Sequence, residues 1–305
     1  PVNFTISGNY IHDVTANGIE IIGAMVNCDI KDNTLDTVLN HGILVPSMTS
    51  GEISGNVLSG ISRRGISVNG GFTNSVMTHN EIANTNENGI YVGMATSSEI
   101  SFNNISDVED VGIEVIGSNS CTIKNNSIEY VDGTGISVDY CHVSDISVNE
   151  IDNCTGIGIE GLGNTNTTIH KNTISNCNGY AVSLNDDTEN FEIKSNVFLN
   201  NGAGCQLNDE GENNVFIYNY FSDWQTPDTN NDNFVDLPYE VDGISDNSDD
   251  WPVTLAGYTG TPTTTSNNTT TTTDSIPDLT MTLLIAGGSV GAIVIVAAIL
   301  VAKKR

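Results

Sequence analysis

Residues 100–122 read ISFNNISDVEDVGIEVIGSNSCT, and residues 123–145 read IKNNSIEYVDGTGISVDYCHVSD. Laid in register, they place Ile100 over Ile123, Asn103 over Asn126, Ile105 over Ile128, Gly112 over Gly135 and Val115 over Val138. The unit continues in both directions. Its Asn recurs at Asn9, Asn33, Asn56, Asn80, Asn103, Asn126, Asn149, Asn172, Asn196 and Asn219, always 23 or 24 residues apart. Its Gly recurs at Gly18, Gly42, Gly65, Gly89, Gly112, Gly135 and Gly158, and Ala181 takes the next place. A fixed period of this length marks a solenoid.

The local pattern decides which solenoid. Pairs such as Ile113-x-Val115 and Ile136-x-Val138 have the two-residue spacing of strands and are β-branched. Nothing in the repeats has a helical period. Three short strands per unit, joined at Asn and Gly turns, describe one coil of an all-β parallel β-helix. About ten coils stacked at roughly 4.8 Å rise about 48 Å. The repeated Asn is expected to form a hydrogen-bonded ladder that tolerates left-handed backbone. The repeated Gly is expected to turn the chain with positive φ.

The 305 residues carry 38 acidic and 9 basic side chains, a net charge of −29. That balance excludes nucleic acid as a partner, which needs a basic surface. The expected organisation is a solenoid over 1–221, a cap with an Asp/Asn-rich loop over 222–258, a Thr-rich stalk over 259–280, a transmembrane helix over 281–302 and a basic tail over 303–305. The uncharged stretch Leu283–Ala302 is long enough to cross a bilayer core of about 30 Å. Lys303, Lys304 and Arg305 then predict a cytoplasmic C-terminus, with the solenoid outside the cell surface. The chain opens on Pro1 with no leader ahead of its first coil, so a processed form or fragment is expected. Glycosylation sequons occur at Asn3, Asn104, Asn125, Asn153, Asn166, Asn267 and Asn268. The two in the stalk are the expected acceptors of a surface glycoprotein. Cys154 and Cys177 share an inward phase, which favours stacked core thiols over a disulfide.

The candidate metal site is Asp228-x-Asn230-x-Asp232-x-Phe234-x-Asp236. Side-chain oxygens at alternate positions, with a backbone carbonyl at Phe234, form the front half of an EF-hand-type calcium loop. The departure is Tyr239 at the twelfth position, with Glu240 one residue later. Glu109 and Asp132 share an outward phase, as do Glu129 and Asp152, and these stacked carboxylates are expected to be a solvated face. Glu114 and Glu160 also share an outward phase two coils apart, about 9.6 Å by strand spacing. That is at the upper edge for an inverting carboxylate pair. Asp186 and Asp187 follow on the next coil and complete the weak catalytic candidates. Arg63-Arg64 is the outward basic cluster, and no acidic phase-mate is assigned to it.

After the last coil come Asn219-Tyr220-Phe221-Ser222-Asp223-Trp224, the Asp228–Asp236 loop, Pro238-Tyr239 and Trp251-Pro252. With the repeats, these resemble the NosD-like family of right-handed parallel β-helix proteins with a pectin-lyase-like fold, archaeal members especially. Phe221 and Trp251 stand where that family more often has Trp and Tyr. The resemblance implies a right-handed coil and, by the family's name, copper handling. His12, His41, His79, His142 and His170 are scattered in phase, which argues against a copper site. The Gly-His-Gly motif of polygalacturonases and the Asp-Pro-His-Glu motif of alginate epimerases are missing. The expected function is therefore non-catalytic binding of polysaccharide, envelope glycans or neighbouring envelope proteins. The alternative is a polysaccharide-degrading hydrolase or lyase.

Overall fold

The computed structural model describes residues 1–142, 144–202 and 204–259. Over these the chain winds as a parallel β-solenoid of about 23 residues per turn, with three sheets as its sides. The first sheet begins at Thr5–Ser7, the second at Tyr10–Val14 and the third at Ile19–Glu20. The second stacks ten strands, matching the number of ladder Asn residues, and the third stacks nine.

The register is that of the sequence repeat. Ile100, Ile123 and Ile146 align in the first sheet, Ile105, Ile128 and Ile151 in the second, and Ile113, Ile136 and Ile159 in the third. All nine are buried, and each fully buried Ile contributes about 1.5–3 kcal/mol. The core is thus a column of aliphatic ladders inside the three sheets. Cys154 and Cys177 sit in it as buried free thiols.

The Asn column runs between the first and second sheets and is fully buried from Asn33 to Asn219. Asn103 shows the pattern: its Nδ2 donates to Asn126 Oδ1 at 3.0 Å and to the Met77 carbonyl at 3.1 Å, and its backbone N–H donates to the same Asn126 Oδ1 at 3.0 Å. The left-handed backbone expected at these Asn residues falls instead on the residue before each. His79, Phe102, Asn125, Val148 and Lys171 all have φ between 54° and 57°. That bend turns the chain from one sheet to the next and leaves the Asn free to point inward.

The Gly column is also explained differently. Its residues do not have positive φ; space is what they lack. A Cβ on Gly112 would lie 2.6 Å from the Gly135 carbonyl oxygen and 2.7 Å from Ile128 Cγ2. Each rung rests on the next at that point, and no side chain fits.

At the C-terminal end Tyr239–Glu240 pairs antiparallel with Ser248–Asp249, which joins the first sheet. Asp249, fully buried, takes the place of the next ladder Asn: its Oδ2 accepts from Asn219 N and Nδ2 at 2.9 and 3.0 Å. Phe198, Phe221 and Tyr239 close the core below it, Phe221 and Tyr239 stacked at 3.7 Å. The expected stalk beyond Thr259, the expected transmembrane segment and the tail lie outside the described residues. Among the described residues no helix is long and apolar enough to cross a membrane.

Candidate functional site

Strand alternation sends every second residue of the third sheet outward. In register this gives one column reading Ser67, Tyr91, Glu114, Ser137, Glu160 and Ser183. Glu114 and Glu160 thus stand on the same face, with the small Ser137 between them. Asp139, two residues beyond Ser137 on the intervening strand, joins them: its charge acts on both glutamates. Three carboxylates therefore share one face over three successive rungs.

Their surroundings differ from open solvent. Partial burial is the main cause that raises the pKa of Glu114, with Asp110 and Asp139 adding to it. Arg64 and a 2.9 Å hydrogen bond from Asn88 Nδ2 oppose that rise. Burial and then the Asp139 charge raise Glu160, and burial raises Asp139. Groups pushed this way hold protons more readily than a surface carboxylate does.

Beside them lies the basic pair. Arg64 places its guanidinium 3.7 Å from the centre of the Tyr91 ring and donates from Nε to Asn88 Oδ1 at 3.2 Å. Arg63 Nε donates to Glu87 Oε1 at 2.8 Å, and Arg64 Nε lies 3.8 Å from the other oxygen of Glu87. Glu87 is 24 residues beyond Arg63, so this pair does have an acidic phase-mate, contrary to the sequence reading. A chain of contacts thus runs from Glu87 through Arg64 and Asn88 to Glu114 and fixes the rotamer of each. The opposite margin is apolar: Met94 and Tyr140, both exposed and both at positive φ, alternate along the rungs with Gly117 and Gly163. Tyr140 packs over Gly163, where a Cβ would come within 2.8 Å of its ring.

The other candidates lie elsewhere. Asp186 and Asp187 are exposed in the turn after Val182–Leu184, whose Ser183 is the residue in register with Glu160. In the Asp228–Asp236 loop, Asp236 Oδ2 accepts from Thr229 N at 2.7 Å and Oγ1 at 2.6 Å, and Asp232 Oδ1 accepts from Phe234 N at 3.0 Å. Asn231 and Asn233 supply left-handed turns, and Asp228 Oδ1 is buried without a hydrogen-bond partner. Among the described residues no three His, Cys, Asp or Glu side chains converge as a metal site, the five scattered histidines included. Sequence reasoning found Glu114 and Glu160 through their phase. It missed Asp139, Asn88 and the Arg64–Tyr91 contact, which cross phases.

The family model for the right handed beta helix region matches residues 17–146 and 103–234, more than half of the chain. Among solved structures the chain is similar to the A-module of Azotobacter vinelandii mannuronan C-5 epimerase AlgE6, at 18% identity over 70% of this chain and 63% of that one, with a TM-score of 0.59. The A-module of AlgE4 from the same organism gives 17%, 67%, 64% and 0.56. The DFA-IIIase of Arthrobacter chlorophenolicus A6 gives 14%, 70%, 65% and 0.52. The chain spans just under two thirds of the length of each of these chains. At such identities the likeness is one of fold. No curated protein matches the chain.

Proposed function

The chain belongs to the right-handed β-helix family, and from that premise we propose that the outer face of its third sheet binds a carbohydrate chain lying along the solenoid axis. The observation that carries this reading is the continuous row of sugar-compatible groups on one rigid face. Tyr91 offers a ring backed by Arg64, Glu114 and Glu160 offer acceptors for hydroxyl groups at a regular rise, and Tyr140 and Met94 give an apolar rim. Because the face belongs to a sheet, binding orders little that is not already ordered. The similar A-modules and the DFA-IIIase are named for activities on carbohydrates, which supports the same reading.

A second reading, hydrolysis by the same face, is favoured by one observation: burial raises the pKa of Glu114, Asp139 and Glu160 together. A protonated member could supply a general acid and an ionised one could activate water. We further propose that Asp228, Asn230, Asp232, the Phe234 carbonyl and Asp236 hold a calcium ion that ties down the cap; the buried, unpartnered Asp228 oxygen fits that role. We place the binding face outside the cell, carried on the Thr-rich stalk and the spanning segment; protease digestion of whole cells that spares it would refute this.

The test incubates the chain with neutral and acidic polysaccharides and scores retention and product release together. Retention that Tyr91→Ala abolishes, without products, supports binding. Products that disappear in Glu114→Gln or Glu160→Gln establish the second reading. Neither retention nor products on any polysaccharide would refute both.

A further inference from the structure

A groove of about 470 Å³ runs across four successive rungs at the edge of the second sheet. Asn84, Asn86, Asp107, Glu109, Tyr130, Asp132, Asn153 and Thr155 line it. The groove has a backbone cause. Asn84, Asp107, Tyr130 and Asn153 are the left-handed residues of their rungs, with φ between 53° and 56°. This bend folds the chain outward, and the column Asn86, Glu109, Asp132 and Thr155 forms the facing wall. Between the two walls the buried Thr85 and Val108 line the floor.

The lining is chemically selective. It contains amides, hydroxyls and three carboxylates, and no basic side chain. Tyr130 is the exception among these four. The neighbouring rungs use Asn or Asp, which tolerate left-handed backbone, whereas Tyr adopts it at a cost. Tyr130 is 56% exposed, so burial does not compensate that cost. Two groups beside it are already oriented: Asn153 Nδ2 donates to Asp152, and Thr155 Oγ1 donates to the Asp132 carbonyl.

We infer that this groove is a second carbohydrate site, selective for neutral sugars, in which Tyr130 stacks on a pyranose ring while Asp107, Glu109 and Asp132 accept its hydroxyl hydrogens. The volume falls in the range of about 300–1,000 Å³ common for small-ligand pockets. The Tyr ring supplies rigid amphipathic contact area at low entropic cost, and carboxylate acceptors make the stronger class of hydrogen bond. With no counter-charge in the lining, a uronate or sulfated sugar is repelled. The inference stands independently of the third-sheet reading.

The test titrates the full chain with neutral gluco-, manno- and galacto-oligosaccharides by calorimetry, alongside their uronate counterparts. Tyr130→Asn is the decisive variant, because Asn occupies the same column at Asn84 and Asn153 and preserves the backbone. It should melt no lower than the parent yet bind at least about tenfold more weakly, as expected for loss of a central aromatic anchor. Tyr130→Phe should bind within about threefold of the parent, since the ring is kept. The titrations are repeated in a Tyr91→Ala background, which removes any contribution from the third-sheet face, and the loss caused by Tyr130→Asn should persist there. No neutral sugar bound at millimolar concentration, equal binding by Tyr130→Asn, or binding confined to a divalent cation would each overturn the inference.

Discussion

Asn126→Ala tests the physical basis of the solenoid more sharply than a core truncation. The Asn126 amide makes four hydrogen bonds away from water: it accepts from Asn103 N and Nδ2 and donates to the Ile100 carbonyl and to Asn149 Oδ1, each at 3.0 Å. Ala removes all four and strands the Asn103 N–H inside the molecule. At a net value of about 1 kcal/mol per bond the loss is about 4 kcal/mol, and the stranded N–H raises it. Asn9→Ala is the control, because Asn9 is exposed and ends the column, with Nδ2 bonds only to Ser7 O and Asn33 Oδ1. It should cost under about 1 kcal/mol. Urea unfolding followed by circular dichroism gives both values, and an unchanged slope shows that the same surface is exposed. If Asn126→Ala costs less than about 1 kcal/mol, or no more than Asn9→Ala, the ladder does not hold the coils together.

Gly112→Ala should destabilise by about 1–3 kcal/mol, the cost of overpacking, because its Cβ would meet the Gly135 carbonyl oxygen; a melt equal to the parent's contradicts the close approach. Burial pushes the Asp249 carboxyl up to about 6, against four N–H bonds from Tyr218, Asn219 and Trp251. With the folded pKa above the unfolded value, its contribution is present below about pH 4 and lost as pH rises through about 6, up to about 3 kcal/mol. The stability difference between parent and Asp249→Asn should therefore change across that window, and a flat difference contradicts it. Unfolded, unreduced chain should titrate as six free thiols; fewer would contradict a core of unbridged cysteines. Calcium at millimolar concentration should raise the melting temperature of the parent and leave Asp228→Ala unmoved; an equal shift in both would place the ion elsewhere.

The fold was readable because one residue class repeats at one period. Stacking Ile on Ile and Asn on Asn keeps every rung equivalent, so the constraint is written once per coil. What periodicity could not reveal is what breaks it. Asp139 joins Glu114 and Glu160 from a position two residues out of phase. Arg64 belongs to a turn column and reaches the next rung, where it meets Tyr91 and Asn88. The second groove depends on which residue of a rung takes left-handed backbone. Gly is the usual sequence sign for that, yet Tyr130 and Asp107 carry it here. The Gly column itself was misread for the same reason: a sequence shows where Cβ is absent, while only the packed rungs show what would have met it.

The most direct test of the binding face is a crystal structure of the chain with whichever oligosaccharide it retains. The account predicts sugar density along the third sheet, with one ring against Tyr91 and hydroxyl groups within hydrogen-bond distance of Glu114 and Glu160. Density confined to other faces, with the Arg64–Tyr91 contact and the three carboxylates left bare, would contradict it.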